Sequence, residues 1–159
     1  MSLKDTLLQI HQGIEAKELQ KISKKEMAAR LNIATITYVE WLRGKNEPSA
    51  MNAMLKMLSI LNDERLLMVI SSWRYNKKFF KLSDIVYKIH KQIEDEELKN
   101  ISQKEMAQRI SIAHSTYTAW LGGVQKPIAI PALLDLLAML KDEDIIQIVC
   151  LWQANRTSE

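Results

Sequence analysis

The sequence predicts an all-α protein made of two tandem five-helix units, and three observations carry that prediction. Glycine and proline number only 4 and 3 in 159 residues, which disfavours turn-rich sheet folds. Apolar residues recur at helical spacing along most of the chain. The stretch ISKKEMAARLNI, Ile22 to Ile33, returns 79 residues later as ISQKEMAQRISI, Ile101 to Ile112. Sliding the chain by 79 pairs Leu3 with Leu82 and Trp73 with Trp152 without a gap, and about 31 of the 72 paired positions are identical. The predicted units are residues 1–76 and 82–159, joined by a short basic linker at 77–81.

Each unit reads as five helices in order. The first, roughly Lys4 to Leu19, places Leu7, Ile10 and Ile14 on one face. The second opens at Ser23-x-x-Glu26, repeated as Ser102-x-x-Glu105. This is the pattern in which the serine oxygen accepts from the glutamate amide and the glutamate side chain reaches back. Met27, Ala28 and Leu31 should face inward, and Asn32, or Ser111 in the second unit, stands where a left-handed residue ends the helix. A third helix, about Thr35 to Arg43, should bury Tyr38 and Trp41 and stop at Gly44; Tyr117, Trp120 and Gly123 repeat the arrangement. Helix four, about Ala50 to Leu61, carries Met54, Leu55, Leu58 and Leu61, and its counterpart has Pro131 near its start, where a missing amide is tolerated. Helix five spans about Asp63 to Trp73 and Asp142 to Trp152. LLMVISSW and IIQIVCLW are apolar around much of the helix, so Leu66, Val69, Trp73, Ile145, Ile148 and Trp152 should pack between the repeats or against a second chain.

Composition narrows the function classes. No apolar run approaches the ~18 residues of a membrane span, and the N-terminus lacks a signal peptide's pattern, so a cytoplasmic protein without a membrane partner is expected. The single cysteine, Cys150, lies in an apolar run and is expected to be a small buried hydrophobe. His11 and His90 occupy equivalent places four residues before Glu15 and Glu94; with no further ligand nearby in sequence they are expected to be packed or hydrogen-bonded, not metal-bound. No glycine-rich phosphate loop, nucleophile elbow or paired-carboxylate pattern occurs, so the expectation is a protein that is not an enzyme and has neither cofactor nor metal.

Charge separates the two copies. The net charge is +3, compatible with nucleic acid but no demonstration of it. Leu3 to Arg74 holds 11 Lys+Arg and 8 Asp+Glu, whereas Leu82 to Gln153 holds 7 and 10. The first repeat is thus about +3 and the second about −3, with YNKKFFK adding about +3 between them.

SKKEMAARLNIATITYVEWLRGKNEP and SQKEMAQRISIAHSTYTAWLGGVQKP resemble the phage-repressor (Cro/Xre-type, lambda-repressor-like) helix-turn-helix DNA-binding domain. The shared features are the Ser-x-x-Glu start, the inner alanine, the short turn, the tryptophan late in helix three and Gly-x-x-x-Pro. The resemblance implies that the start of helix three, and a residue one turn later, read base edges in the major groove. By position these are Thr35, Ile36 and Glu40, then His114, Ser115 and Ala119. It also implies phosphate contacts from Lys24, Arg43, Lys45 and Asn46, then from Gln103, Lys104, Gln125 and Lys126. On chemistry, Ile36 suits a thymine methyl, Glu40 suits cytosine N4, and Arg43 suits phosphate or guanine. The second face offers little charge. The expectation is a bacterial or phage sequence-specific regulator bound to double-stranded DNA; the alternative is a protein-interaction adaptor or antirepressor that keeps the fold without DNA.

Overall fold

A computed structural model describes residues 2–76 and 81–157, which form ten α-helices and, among these residues, no strand. The expected linker 77–81 falls, apart from Lys81, outside the described residues. The first repeat contributes α1 (Leu3–Glu18), α2 (Lys24–Arg30), α3 (Thr35–Arg43), α4 (Ser49–Ile60) and α5 (Asp63–Asn76). The second contributes α6 (Leu82–Glu97), α7 (Gln103–Arg109), α8 (His114–Leu121), α9 (Ala129–Ala138) and α10 (Asp142–Thr157). No helix among these residues is long and apolar enough to cross a membrane.

Local chemistry sets the helix ends. Ser2 caps α1 reciprocally with Asp5. Ser23 Oγ accepts from the Glu26 amide at 3.0 Å, and Ser102 Oγ accepts from Glu105 at 3.0 Å, as their spacing predicts. The return half of the expected box is absent: the Glu26 and Glu105 carboxylates turn instead to Arg30 (3.2 Å) and Arg109 (2.9 Å), one turn further along the same helix. A charge-assisted pair outcompetes a bond to an exposed amide that water also satisfies. Asn32 (φ 57°) and Ser111 (φ 60°) are both left-handed, and Gly44 ends α3 at φ 78°. Leucines 19 and 98 are left-handed as well, each ending the first helix of its repeat.

The fifth helices cross over. The main neighbours of α5 are α9 and α6 of the second repeat, while α10 lies on α4 and α1 of the first; α5 and α10 also touch each other. One continuous core results, running from Leu3 to Trp152, so the two sequence halves do not enclose separate interiors. Helices α4 and α9 pack against each other at its centre. They are the elements enclosed nearly all round: Met51, Ala53, Met54, Leu55, Met57 and Leu58 are each at most 1% exposed, as are Ile130, Ala132, Leu133, Leu134, Leu136 and Leu137.

Helix five is more one-sided than its composition suggests. Its buried stripe is Leu66, Val69, Ile70 and Trp73 in α5, and Ile145, Ile148, Val149 and Trp152 in α10, while Met68 and Leu151 are exposed. Cys150 is exposed too, against expectation. The reason is periodicity: 145, 148, 149 and 152 follow the i, i+3, i+4, i+7 rule, and position 150 falls on the opposite face.

Polar bonds lock the crossing. Trp73 Nε1 donates to Asp135 Oδ1 at 2.8 Å, and Arg74 Nε donates to the Ala138 carbonyl at 2.8 Å, near the end of α9. Lys17 Nζ reaches the Met139 carbonyl at 3.1 Å. Glu96, which stands where Lys17 stands in the first repeat, instead accepts from the Asn62 amide at 2.7 Å, just before α5 begins. A cation at a helix C-terminus and an anion at an N-terminus are each the favourable choice, so the reversed charges both stabilise. Gly13 in α1 serves the same seam, since a Cβ there would lie 2.9 Å from Leu140 Cδ2.

Candidate nucleic-acid interface

Helices α2 and α3 pack together across a four-residue connection, and α7 and α8 do the same. The connection is hydrogen-bonded: the Asn32 amide donates to Ala29 O at 3.1 Å and the Ile33 amide to Ala28 O at 3.0 Å, with Ser111 and Ile112 matching at 3.2 and 3.0 Å. Small buried residues, Ala28 and Ala107, let the helices approach closely.

The inner face of α3 is fixed by a buried relay that recurs in α8. His11 Nε2 lies 2.8 Å from the Ile22 carbonyl and so carries the proton; Nδ1 then accepts from the Tyr38 hydroxyl at 2.7 Å. His90, Ile101 and Tyr117 repeat these distances. Burial, helped by the Glu15 and Glu94 carboxylates, pushes the Tyr38 and Tyr117 phenols far above their ordinary range, which keeps the hydroxyls as donors. The histidines are thus buried hydrogen-bonding residues, as their isolation from other ligands predicts.

A second pair of ties holds the first helix of each two-helix element. Arg30 forms a fork with Glu18 (2.7 and 2.8 Å), joining α2 to α1, and Arg109 does so with Glu97 (2.6 and 2.8 Å), joining α7 to α6. The Arg30 bond holds the Glu18 carboxyl down to about 2, and the Arg109 bond holds the Glu97 carboxyl below its ordinary range. Neither the motifs nor the helical spacing singles out these four residues. The one sequence signal for them is that charged residues twelve apart are identical in both repeats.

Outward, the two repeats diverge. Thr35 and Ile36 are exposed at the start of α3, Ile36 by 62%, and Arg43 and Lys45 are exposed at its end. Ala34 provides no side-chain cap for α3, and Ala113 provides none for α8. Glu40 is half-buried, and its carboxylate accepts from Asn46 Nδ2 at 2.9 Å; two residues nominated for different contacts therefore meet. Lys24 is exposed at the first position of α2.

On α8, His114 and Ser115 are exposed and Ala119 is half-buried. Gln103 Oε1 accepts from Thr118 Oγ1 at 3.0 Å, which leaves the Gln103 amide hydrogens pointing away from Thr118. Lys104, Gln125 and Lys126 are exposed. Gly122 and Val124 replace Arg43 and Lys45, and Val124 is 82% exposed. Helix α8 also stops one position earlier than α3, as glycine in place of arginine favours.

No protein-family model, no curated protein and no solved structure matches the chain.

Proposed function

We propose that the chain is a sequence-specific, double-stranded-DNA-binding regulator with two helix-turn-helix readers, α2–α3 and α7–α8, in one polypeptide. The observation that carries this reading is the outer face of α3. Exposed Thr35 and Ile36 and half-buried Glu40 lie on a helix whose inner face buries Tyr38 and Trp41, and the cations Lys24, Arg43 and Lys45 are exposed. That combination supports base contact along the helix and phosphate contact at its margins. Asn46, holding Glu40, supports a role in orienting that carboxylate toward a base amino group rather than in gripping phosphate.

The test is selection from random duplexes by the full chain, followed by titration at two salt concentrations. Enrichment of a motif and a steep loss of affinity with salt are expected. Failure to enrich any motif overturns specific readout.

One observation favours a second reading for the second repeat. Its outer face lacks cations at 122 and 124 and exposes Val124 and Ile128, the latter by 61%, which suits a protein partner better than phosphate. Binding that ignores salt and needs Val124 supports this adaptor role.

A further inference from the structure

We infer that the crossed fifth helices make the molecule a ruler: they fix the separation and the rotation of two unlike half-sites on one duplex. This inference rests on the DNA reading above and adds to it the geometry of the target.

Three observations carry it. First, neither repeat can shift against the other without withdrawing a buried helix from the other's core. Leu66, Val69, Ile70 and Trp73 would leave α9 and α6, and the stripe from Ile145 to Trp152 would leave α4 and α1. A core packed to crystal-like density has few intermediate arrangements.

Second, the bracing reaches the readers. Lys56 on α4 donates to Ser111 Oγ at 2.6 Å, and Ser111 is the left-handed residue in the α7–α8 turn. Arg30, in α2, lies 3.6 Å from Met139 Sδ at the end of α9, beside the Lys17 bond to the same residue. Each two-helix element is thus held partly by the opposite repeat.

Third, the two seams are chemically different. Trp73 meets Asp135 and Arg74 meets the end of α9, whereas the corresponding positions in the other seam are Trp152, Lys56 and Gln153. Arg65 bonds Gln92 in the α5–α6 seam, and Asp144 and Gly13 occupy those places between α1 and α10. The two seams therefore do not share one set of contacts, and each is held by its own directional bonds.

Adding one base pair between half-sites moves the second by ~3.4 Å and turns it by roughly 35°, which a loose tether absorbs and a rigid core does not. The experiment uses the full chain on the duplex it selects, with 1, 2, 5 and 10 base pairs inserted between the two halves of the motif. Expected are a drop in affinity of at least about tenfold for a single insertion and no recovery at 10. Drops under about threefold for one or two inserted pairs, or recovery at 10, overturn the ruler.

Native-state hydrogen exchange on the free protein gives an arm that needs no DNA. Amides of α4, α5, α9 and α10 are expected to share one opening free energy; separate openings of the two repeats overturn the rigid coupling. If no duplex motif is selected while those helices open together, the DNA reading and the ruler built on it fail and the coupled core stands.

Discussion

The outer faces of α3 and α8 sit on nearly identical foundations. Beneath each lie a buried tyrosine and tryptophan, a histidine relay and an arginine–glutamate fork with matching distances. Above them, Ile36, Glu40, Arg43 and Lys45 face Ser115, Ala119, Gly122 and Val124 at the equivalent positions. The lesson is that the foundation is constrained by packing and by the cost of unsatisfied buried polar groups, while the outer face answers only to what it touches. Around α3 and α8, identity between the repeats marks the buried support and divergence marks the outer face, whereas along the seams the divergent residues are themselves structural.

Breaking the shared foundation should have the largest effect. Ile145 is fully buried on a helix seated in the other repeat, so Ile145→Asp should cost about 4 kcal/mol or more by burying an unpaired charge, and circular dichroism should show both repeats melting in one transition. A partial transition that leaves the second repeat folded would refute the shared core.

Next comes the outer-face comparison. Arg43→Ala with Lys45→Ala should weaken binding to all duplexes and lower the salt slope by about 0.9 for each phosphate no longer neutralised. Lys104→Ala with Lys126→Ala should do less. Ile36→Ala or Glu40→Ala should instead change base preference by roughly 1–3 kcal/mol at one position. Titrations on selected and random duplexes at two salt concentrations decide this; a larger effect from the second-repeat pair reverses the assignment of the leading reader.

The relay sharpens the claim of equal foundations. Tyr38→Phe and Tyr117→Phe each leave a buried imidazole nitrogen without its donor and should each cost roughly 1–2 kcal/mol in denaturant unfolding, by equal amounts. A difference above about 1 kcal/mol between them would show that the repeats are not energetically alike beneath the surface.

The smallest effect is in acid. Glu18, Glu94 and Glu97 titrate below their ordinary range: Arg30 bonds hold Glu18 down, the Ile101 amide Glu94, and Arg109 Glu97. Depressed carboxylates contribute stability that is fully present above the unfolded value near 4.5 and disappears as pH falls toward the folded one, about 2 for Glu18. Stability should therefore decline between about pH 4.5 and 2, with each part-exposed arginine–glutamate tie contributing below about 1 kcal/mol. Glu18→Gln should flatten part of that decline in pH-dependent melts; an unchanged profile would remove Glu18 from the account.

Much of the fold is legible in the sequence because it is local. The 79-residue repeat, the serine caps, the left-handed Asn32 and Ser111 and the buried Tyr38/Trp41 face all follow from residue type and period. Periodicity also places Ile36, Glu40 and Arg43 opposite that buried face, whereas Lys24, Lys45, Asn46 and the second-repeat set Gln103, Lys104, Gln125 and Lys126 come only from the family resemblance. The internal pairings of the candidate interface are not legible: Asn46 to Glu40 and Thr118 to Gln103 depend on side-chain geometry across a loop and between helices. Cys150 departs from expectation because an apolar run weighed by composition hides the residue's angle around α10.

By itself the sequence determined most of what the helices hide, Cys150 on α10 excepted; only the tertiary structure decided what those residues would be hidden against. Periodicity defines a buried stripe without naming its partner. Because the repeats share so many core residues, the groove beside α1 and α4 and the groove beside α6 and α9 are nearly the same solvent for a fifth helix. Hydrophobic burial is proportional to area and has no direction, so it scarcely distinguishes a helix folded back on its own repeat from one laid into the other. The choice falls to directional contacts between residues far apart in sequence, Trp73 with Asp135, Arg74 with the end of α9 and Glu96 with the start of α5, and those exist only once the helices have crossed.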